Sequence, residues 1–584
     1  MTPPLKESVS VWMRGAGWNA LPASALLITG VLLFPSAGQD DTHITCWPAY
    51  TLSHYGQMLN YNGERVEQSS SLLQVVLLAA LHAVTGLDLL TLAKVTSIGA
   101  GIAGLVALST LVSRVTTRAA GVWAASMAAV STPVVYWSFS GMETTLAAVA
   151  GLILIVTVAD YLSGHHRASV WKLSAALAVF AMVRPEAPVL MATVLAAALL
   201  TPTAAKRFGI ACAWPRITRV SPWSVLILGT VTCTALFAFR WMYFGDFWPQ
   251  PVAAKFSSVS WRNIVIGLHY VKGHAWNMGA ATAMVTTTLV TSLFVTLAQQ
   301  LRRGTLNAYI WLSALLACGS LAFVITSSGD WMPTGRFLAH FLPIAIAFIP
   351  FGVQGAASGR WVLPFIGVVV IALELTSAVT FAATGSTSFP LWARLAEPAS
   401  HQDLRFSWFE RHSRINVRDM PVIGALDTVV ARLAAEKHAP VVVMSGQMGM
   451  VSYHLALRHF GRVRFIDRHG LVERSLTDCG STRDGPRDTG GLAMTLAQYL
   501  GAVEERMPGC QLPRPDVIFD IGASSRSGVA AYGYEDVFRQ SGTIDAVGSR
   551  LPGGTVLADA FIAVDSRRYQ AREFSGVTEA AVSK

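Results

Sequence analysis

The stretch SLLQVVLLAALHAVTGL, Ser71 to Leu87, decides how the whole chain is oriented. It is apolar, yet a helix needs about 20 such residues to cross the hydrocarbon of a bilayer. If it crosses, every later loop changes sides. If it lies flat on the outer surface as an amphipathic helix, none does. The charges separate the two cases. With the N-terminus inside and 71–87 on the surface, the inner loops hold Arg114 and Arg118, His165 to Lys172, Lys206 to Arg219, Arg302 with Arg303, and Arg360. The opposite loops hold Asp40, Asp41, Glu64, Glu67, Glu143, Glu186, Asp246 and Asp330. Short cytoplasmic loops carry the excess of Lys and Arg. The surface placement is therefore expected, with the N-terminus cytoplasmic and the C-terminus outside.

Working outward, apolar runs lie near 17–37, 88–112, 119–138, 143–163, 169–183, 186–202, 222–243, 275–298, 307–327, 337–355 and 361–382. About eleven spans are expected. The fifth and sixth runs are short and form a hairpin that meets at Arg184-Pro185-Glu186. Over 584 residues, 53% are hydrophobic and 13% charged, and the mean hydropathy is +0.47. Lipid must be the main solvent of such a chain. The net charge of +10 sits in the inner loops, so it implies a membrane partner and no nucleic acid. The first apolar run, from about Ala20 to Ala37, lacks a small-residue cleavage site and reads as a span that is retained.

Residues 1–383 thus form an α-helical polytopic domain with juxtamembrane segments at 38–87. Residues 384–584 change composition abruptly and read as a soluble α/β cap of roughly 200 residues. Val441 to Met444, Val463 to Asp467, Val517 to Ile521 and Val556 to Ala563 are expected strands. Ala425 to Lys437 and Leu492 to Glu505 have helical spacing. Of the six cysteines none is spaced C-x-x-C. Cys479 and Cys510 could pair if the cap is extracytoplasmic.

Gly99-Ala100-Gly101-Ile102-Ala103-Gly104 fits the dinucleotide fingerprint but lies in an apolar run with no strand before it, so close helix packing is the expected reason for its glycines. His165 and His166 beside Arg167 lack a third ligand, and no metal is indicated, although a divalent ion is compatible with the sequence. The outer loops are richer. Asp40 and Asp41 follow the first run. Tyr61-Asn62-Gly63-Glu64-Arg65-Val66-Glu67 is a turn with charges of both signs. Ser140-Gly141-Met142-Glu143 and Arg184-Pro185-Glu186 place ionisable groups at span ends, where they are expensive and usually serve a site. Tyr243-Phe244-Gly245-Asp246-Phe247-Trp248-Pro249 is followed by Lys255. The densest cluster is Ser328-Gly329-Asp330-Trp331-Met332-Pro333-Thr334-Gly335-Arg336-Phe337.

In this order the motifs resemble the GT-C glycosyltransferases of the terminal arabinofuranosyltransferase (AftB-like) group. The likeness continues through Met448-Gly449-Met450 and Arg464 to Val472 in the cap. The resemblance implies a bacterial inner-membrane enzyme of GT-C fold under a periplasmic cap. It implies inverting transfer of arabinofuranose from a polyprenyl-phosphoryl (decaprenyl-phosphoryl) donor to a cell-envelope glycan, with no required cofactor. The base of the GT-C class carries over onto Asp40 and Asp41, of which Asp41 is favoured. Positive charge for the departing lipid phosphate falls to Arg184, Lys255 and Arg336. Glu143, Glu186, Asp246, Asp330, Trp331, Glu64 and Arg65 complete the expected substrate-binding set. A pilin acceptor would use the same donor and chemistry. A transporter or flippase would instead place ionisable groups near the middle of its spans and often show inverted repeats, and neither is expected here.

Overall fold

The structure is a computed structural model that describes residues 5–34, 40–163, 169–207, 211–212, 222–255, 260–277, 280–330, 332, 334–356, 361–384, 421–446, 448–478, 496–505, 512–521, 528–545, 555–570 and 574. Two compact units divide the chain: 1–37 with 94–236 and 260–405, and 38–93 with 237–259 and 406–584.

In chain order the helices are α1 Leu5–Leu33, α2 Asp41–Tyr55, α3 Leu72–Thr85, α4 Leu89–Val115, α5 Arg118–Ala129, α6 Thr132–Phe139, α7 Thr144–Leu162, α8 Val170–Val183, α9 Ala187–Arg207 and α10 Pro222–Phe244. They continue with α11 Gln250–Lys255, α12 Trp261–Lys272, α13 Ala280–Arg302, α14 Ala308–Thr326, α15 Arg336–Ala339, α16 Leu342–Ile346, α17 Phe348–Ala356 and α18 Val362–Thr384. Among the described residues six helices are long and apolar enough to cross a membrane, or seven if the pair α5 and α6 counts as one broken span. The chain is a multi-pass membrane protein. α3 has 14 residues, about 21 Å at 1.5 Å per residue, too short to cross unaided.

The first unit is a helix bundle whose sequence explains its close contacts. Gly101 belongs to no nucleotide loop: a Cβ there would lie 2.4 Å from Ser138 Oγ and 3.1 Å from Leu26, so the glycine lets α1, α4 and α6 approach. Asn307 starts α14 by accepting from the Tyr309 and Ile310 amides at 3.0 and 3.4 Å, as an N-cap should. Two expected spans are broken. The run 119–138 bends by 68° between α5 and α6, where Pro133 occupies the first turn of α6. The run 337–355 is three short helices, α15 to α17.

The expectation of no ionisable group near the middle of a span is overturned by Glu374, buried in the middle of α18. Its carboxyl accepts from the Thr132 amide at 3.3 Å. The bend ahead of α6 leaves that N-terminal amide without a partner in its own helix, and Glu374 supplies one.

The second unit has a five-stranded sheet. Numbering all strands along the chain, the short parallel pair β1 Ala211–Cys212 and β2 Thr305–Leu306 lies in the first unit. β3 Val441–Ser445, β4 Val463–Asp467, β5 Val517–Ile521, β6 Tyr534–Asp545 and β7 Thr555–Asp565 form the sheet in the order β4-β3-β5-β7-β6. β4, β3 and β5 run parallel, and β7 returns antiparallel between β5 and β6. α19 Pro421–Glu436, α20 Met450–His459, α21 Ser475–Asp478 and α22 Leu496–Glu505 accompany it. Four strands fall where the sequence predicts them. β6 is missed because YEDVFRQSGTID is too polar to stand out as a strand. α22 packs Leu496, Tyr499 and Leu500 onto Met444, Ile466, Ile518 and Phe561 of the sheet. Cys479, Cys510, His165 and His166 lie outside the described residues.

Candidate active site

In the first unit, loop ends gather charge. Arg184 leaves α8 and donates through Nη1 to Glu143 Oε1 at 2.7 Å and through Nε to Glu186. All three side chains are buried. The Pro185 turn between α8 and α9 holds Arg184 and Glu186 side by side, and Glu143 immediately precedes α7. A second pair follows α14, with Arg336 Nε 2.6 Å from Asp330 Oδ2, both buried. Phe337 joins the two groups: the Arg184 and Arg336 guanidiniums lie 5.0 and 5.2 Å from its ring centroid, cation–π contacts that fix both cations on one aromatic ring. Three carboxyl groups therefore face two guanidiniums. Beside them a cavity is lined by Arg184, Glu186, His340 and Ser320, with Phe180, Leu190, Leu316 and Ile344 as its apolar wall. The 328–336 loop that carries Asp330 is strained, for Ser328 and Thr334 have φ of 67° and 53°, unusual for side-chain-bearing residues.

At the other end of the same bundle lies a separate polar layer. Arg114 Nη2 bonds Asp160 Oδ2 at 3.0 Å, and the Tyr309 hydroxyl donates to the same carboxylate.

In the second unit, Asp40 is buried and cradled at the start of α20. Its carboxylate accepts from the Gly449 amide at 3.0 Å and the Met450 amide at 2.7 Å. Burial pushes the Asp40 carboxyl up to about 7, against the pull of the Met450 and Gly449 amides and with help from the Asp41 charge. Gly449 has to be glycine, because a Cβ there would stand 2.4 Å from the Asp40 carboxyl. Asp41, the first residue of α2, is half-buried. The following turn is tied to the sheet: Asn62 donates to the Phe465 carbonyl and accepts from its amide at 3.0 and 2.7 Å, and Asn60 donates to the Val472 carbonyl at 3.1 Å. Asp467 organises the 467–472 turn by accepting from the amides of His469, Leu471 and Val472.

The remaining expected residues are scattered. Glu64 is exposed and accepts from Asn60 Nδ2 at 2.9 Å. Arg65 is exposed over the Tyr243 ring. Asp246 pairs with Arg474 at 2.5 Å. Lys255 ends α11, but its side chain lies outside the description, as does Trp331.

Sequence reasoning passed over Arg240, which is fully buried and bonds Glu67 through Nε and Nη2 at 2.8 and 3.1 Å. The signal was present in FAFRWMYF, a single cation in an apolar run, since such a residue demands a partner. It also passed over His274 and His340.

The class defined by these observations is a polytopic membrane protein with a helix bundle bearing a buried charge cluster at one end, together with an α/β unit. Neither family models nor curated proteins match the chain. Among solved structures it is similar to ArnT from Cupriavidus metallidurans bound to undecaprenyl phosphate, with a TM-score of 0.50 and 12% identity over 94% of this chain and 98% of that one. It is also similar to the Archaeoglobus fulgidus oligosaccharyltransferase in the apo form, at a TM-score of 0.48 and 10% identity over 93% and 76%. The mycobacterial arabinofuranosyltransferase AftD gives 0.41 and 12% over 94% and 41%. The first likeness shows a shared fold, the GT-C fold of membrane glycosyltransferases.

Proposed function

We propose that this chain is a multi-pass inner-membrane glycosyltransferase that moves arabinofuranose from a polyprenyl-phosphoryl carrier to a cell-envelope glycan, inverting the anomeric centre outside the cytoplasm. The observation that carries the reading is the buried assembly of Glu143, Arg184, Glu186, Asp330, Arg336 and Phe337 on a fold shared with a protein whose structure holds undecaprenyl phosphate. Breaking a glycosyl phosphodiester leaves a second negative charge on the lipid phosphate, and cations fixed beforehand stabilise it without reorganising. Arg184 and Arg336 are so fixed, and Lys255 is a third candidate.

Asp41 is the base in this reading. Asp40 already accepts two amides at the start of α20, which suits it to hold its neighbour in place. With the shorter apolar helices counted, the spans number about eleven, the N-terminus is cytoplasmic and the C-terminal residues form a periplasmic cap.

Purified protein incubated with radiolabelled polyprenyl-phosphoryl arabinofuranose and an arabinan acceptor is expected to transfer label. Asp41→Asn should abolish transfer, while Asp40→Asn should retain more activity per folded molecule. If Asp41→Asn remains fully active the base assignment falls, and if wild type never consumes the donor, arabinose falls. A pilin in place of arabinan tests the protein acceptor.

A further inference from the structure

Three polar side chains around the 330–340 segment are buried and lack hydrogen-bond partners among the described residues. They are His340 at both ring nitrogens, His274 at Nε2 and Thr334 at Oγ1. His274 uses its Nδ1 on the Tyr270 carbonyl at 3.0 Å and presses against Gly335, where a Cβ would lie 3.1 Å from its ring. Thr334 keeps φ at 53°, a conformation that burdens a β-branched residue. His340 lines the cavity with Arg184, Glu186 and Ser320. A buried polar atom without a partner is destabilising, and four on one short segment of the bundle point to a guest that supplies the missing bonds.

The guest's chemistry follows from the charges. Arg184 and Arg336 are already met by Glu143, Glu186 and Asp330, so the cluster holds no surplus of positive charge for a second anionic group. Imidazole, hydroxyl and carboxyl groups in alternation match the donors and acceptors of a neutral polyol. We propose that His340, supported by Thr334 and His274, recognises the sugar hydroxyls of the lipid-linked substrate and leaves the phosphate to the arginines. This rests on the donor being a polyprenyl-phosphoryl sugar, as inferred above. His340 is a specificity-determining residue in this assignment.

The test compares binding of two probes, polyprenyl phosphate and polyprenyl-phosphoryl arabinofuranose, to the full chain in nanodiscs. Wild type should bind both. His340→Phe should weaken the sugar-bearing lipid about tenfold, the worth of one or two hydrogen bonds, and leave the bare lipid phosphate within about twofold. Its melting temperature without ligand should stay level or rise, because a buried unpaired group is gone. His340→Gln, which keeps one donor and one acceptor, should recover part of the lost affinity. Equal weakening of both lipids would place His340 on the phosphate and overturn the assignment. So would unchanged binding of both, or a His340→Phe variant that loses its cooperative melt. Failure of wild type to bind either lipid would instead remove the functional reading on which the assignment stands.

Discussion

At the residue scale, burial rather than charge pairing sets the behaviour of the carboxyl groups in the second unit. Asp40 is pushed up to about 7 by burial, and Glu473 likewise to about 7. Each folded group holds its proton to a higher pH than the ordinary carboxyl near 4, so the folded state binds more protons across that window. Their contribution to stability is complete below about pH 4 and is lost as pH rises through about 7. Hydrogen exchange at the first turn of α20, corrected for intrinsic rates, should therefore show protection falling between pH 5 and pH 8 in wild type. Asp40→Asn should have a shallower slope, since only Glu473 and its neighbours still titrate. An unchanged slope would show that Asp40 does not titrate there. The sequence displays Asp40 and Asp41 as an equivalent pair after an apolar run. Their difference arises from Gly449 and Met450, some 400 residues away along the chain, a distance no local pattern bridges. Arg184, Glu186, Asp330 and Arg336 were legible because a charge at the end of an apolar run is conspicuous. His340 was not, since histidine beside phenylalanine carries no such signal.

At the element scale, periodicity located nearly every helix and missed what happens inside them. The run 119–138 reads as one apolar stretch, yet Ser131-Thr132-Pro133 starts a new helix there, because proline cannot donate to the preceding turn. The break leaves amides seeking acceptors, and Glu374 of α18 answers one of them. Its place in the middle of a span is thereby structural, and no ion path follows from it. Glu374→Gln keeps a carbonyl oxygen for the Thr132 amide and should melt within about 1 kcal/mol of wild type. Glu374→Leu orphans that amide and should destabilise the protein by about 1–3 kcal/mol. Equal stability of all three, measured by thermal unfolding in detergent, would mean that the amide finds another acceptor. β6 teaches the converse lesson. Its pairing with β7 extends from Tyr534–Asp565 to Asp545–Thr555, so a long partner strand holds a polar sequence that would not declare itself alone.

At the scale of the whole molecule, the bundle's polar groups fall into two layers that chain direction keeps apart. Arg114 closes α4, Asp160 lies in the last turn of α7 and Tyr309 opens α14, and the three are bonded together. Glu143 stands before α7, Arg184 after α8, Glu186 before α9 and Asp330 after α14. Because α7 and α14 each carry one layer at their start and the other at their end, the layers occupy opposite ends of the bundle. The basic loops belong with the Arg114 layer, which the positive-inside rule assigns to the cytoplasm. Alkaline phosphatase fused after Arg118 should then be inactive and a green fluorescent reporter there bright. The same pair fused after Ser388 should behave in the opposite way. Both fusion points lie beyond α3, so each reports whether that 14-residue helix crosses the membrane. A crossing by α3 would exchange the signals at both points together, and would carry Glu143, Arg184, Glu186, Asp330 and Arg336 to the cytoplasmic face, away from any acceptor in the cell envelope. A bright reporter after Ser388 would accordingly defeat transfer outside the cytoplasm while leaving the bonding of both layers untouched.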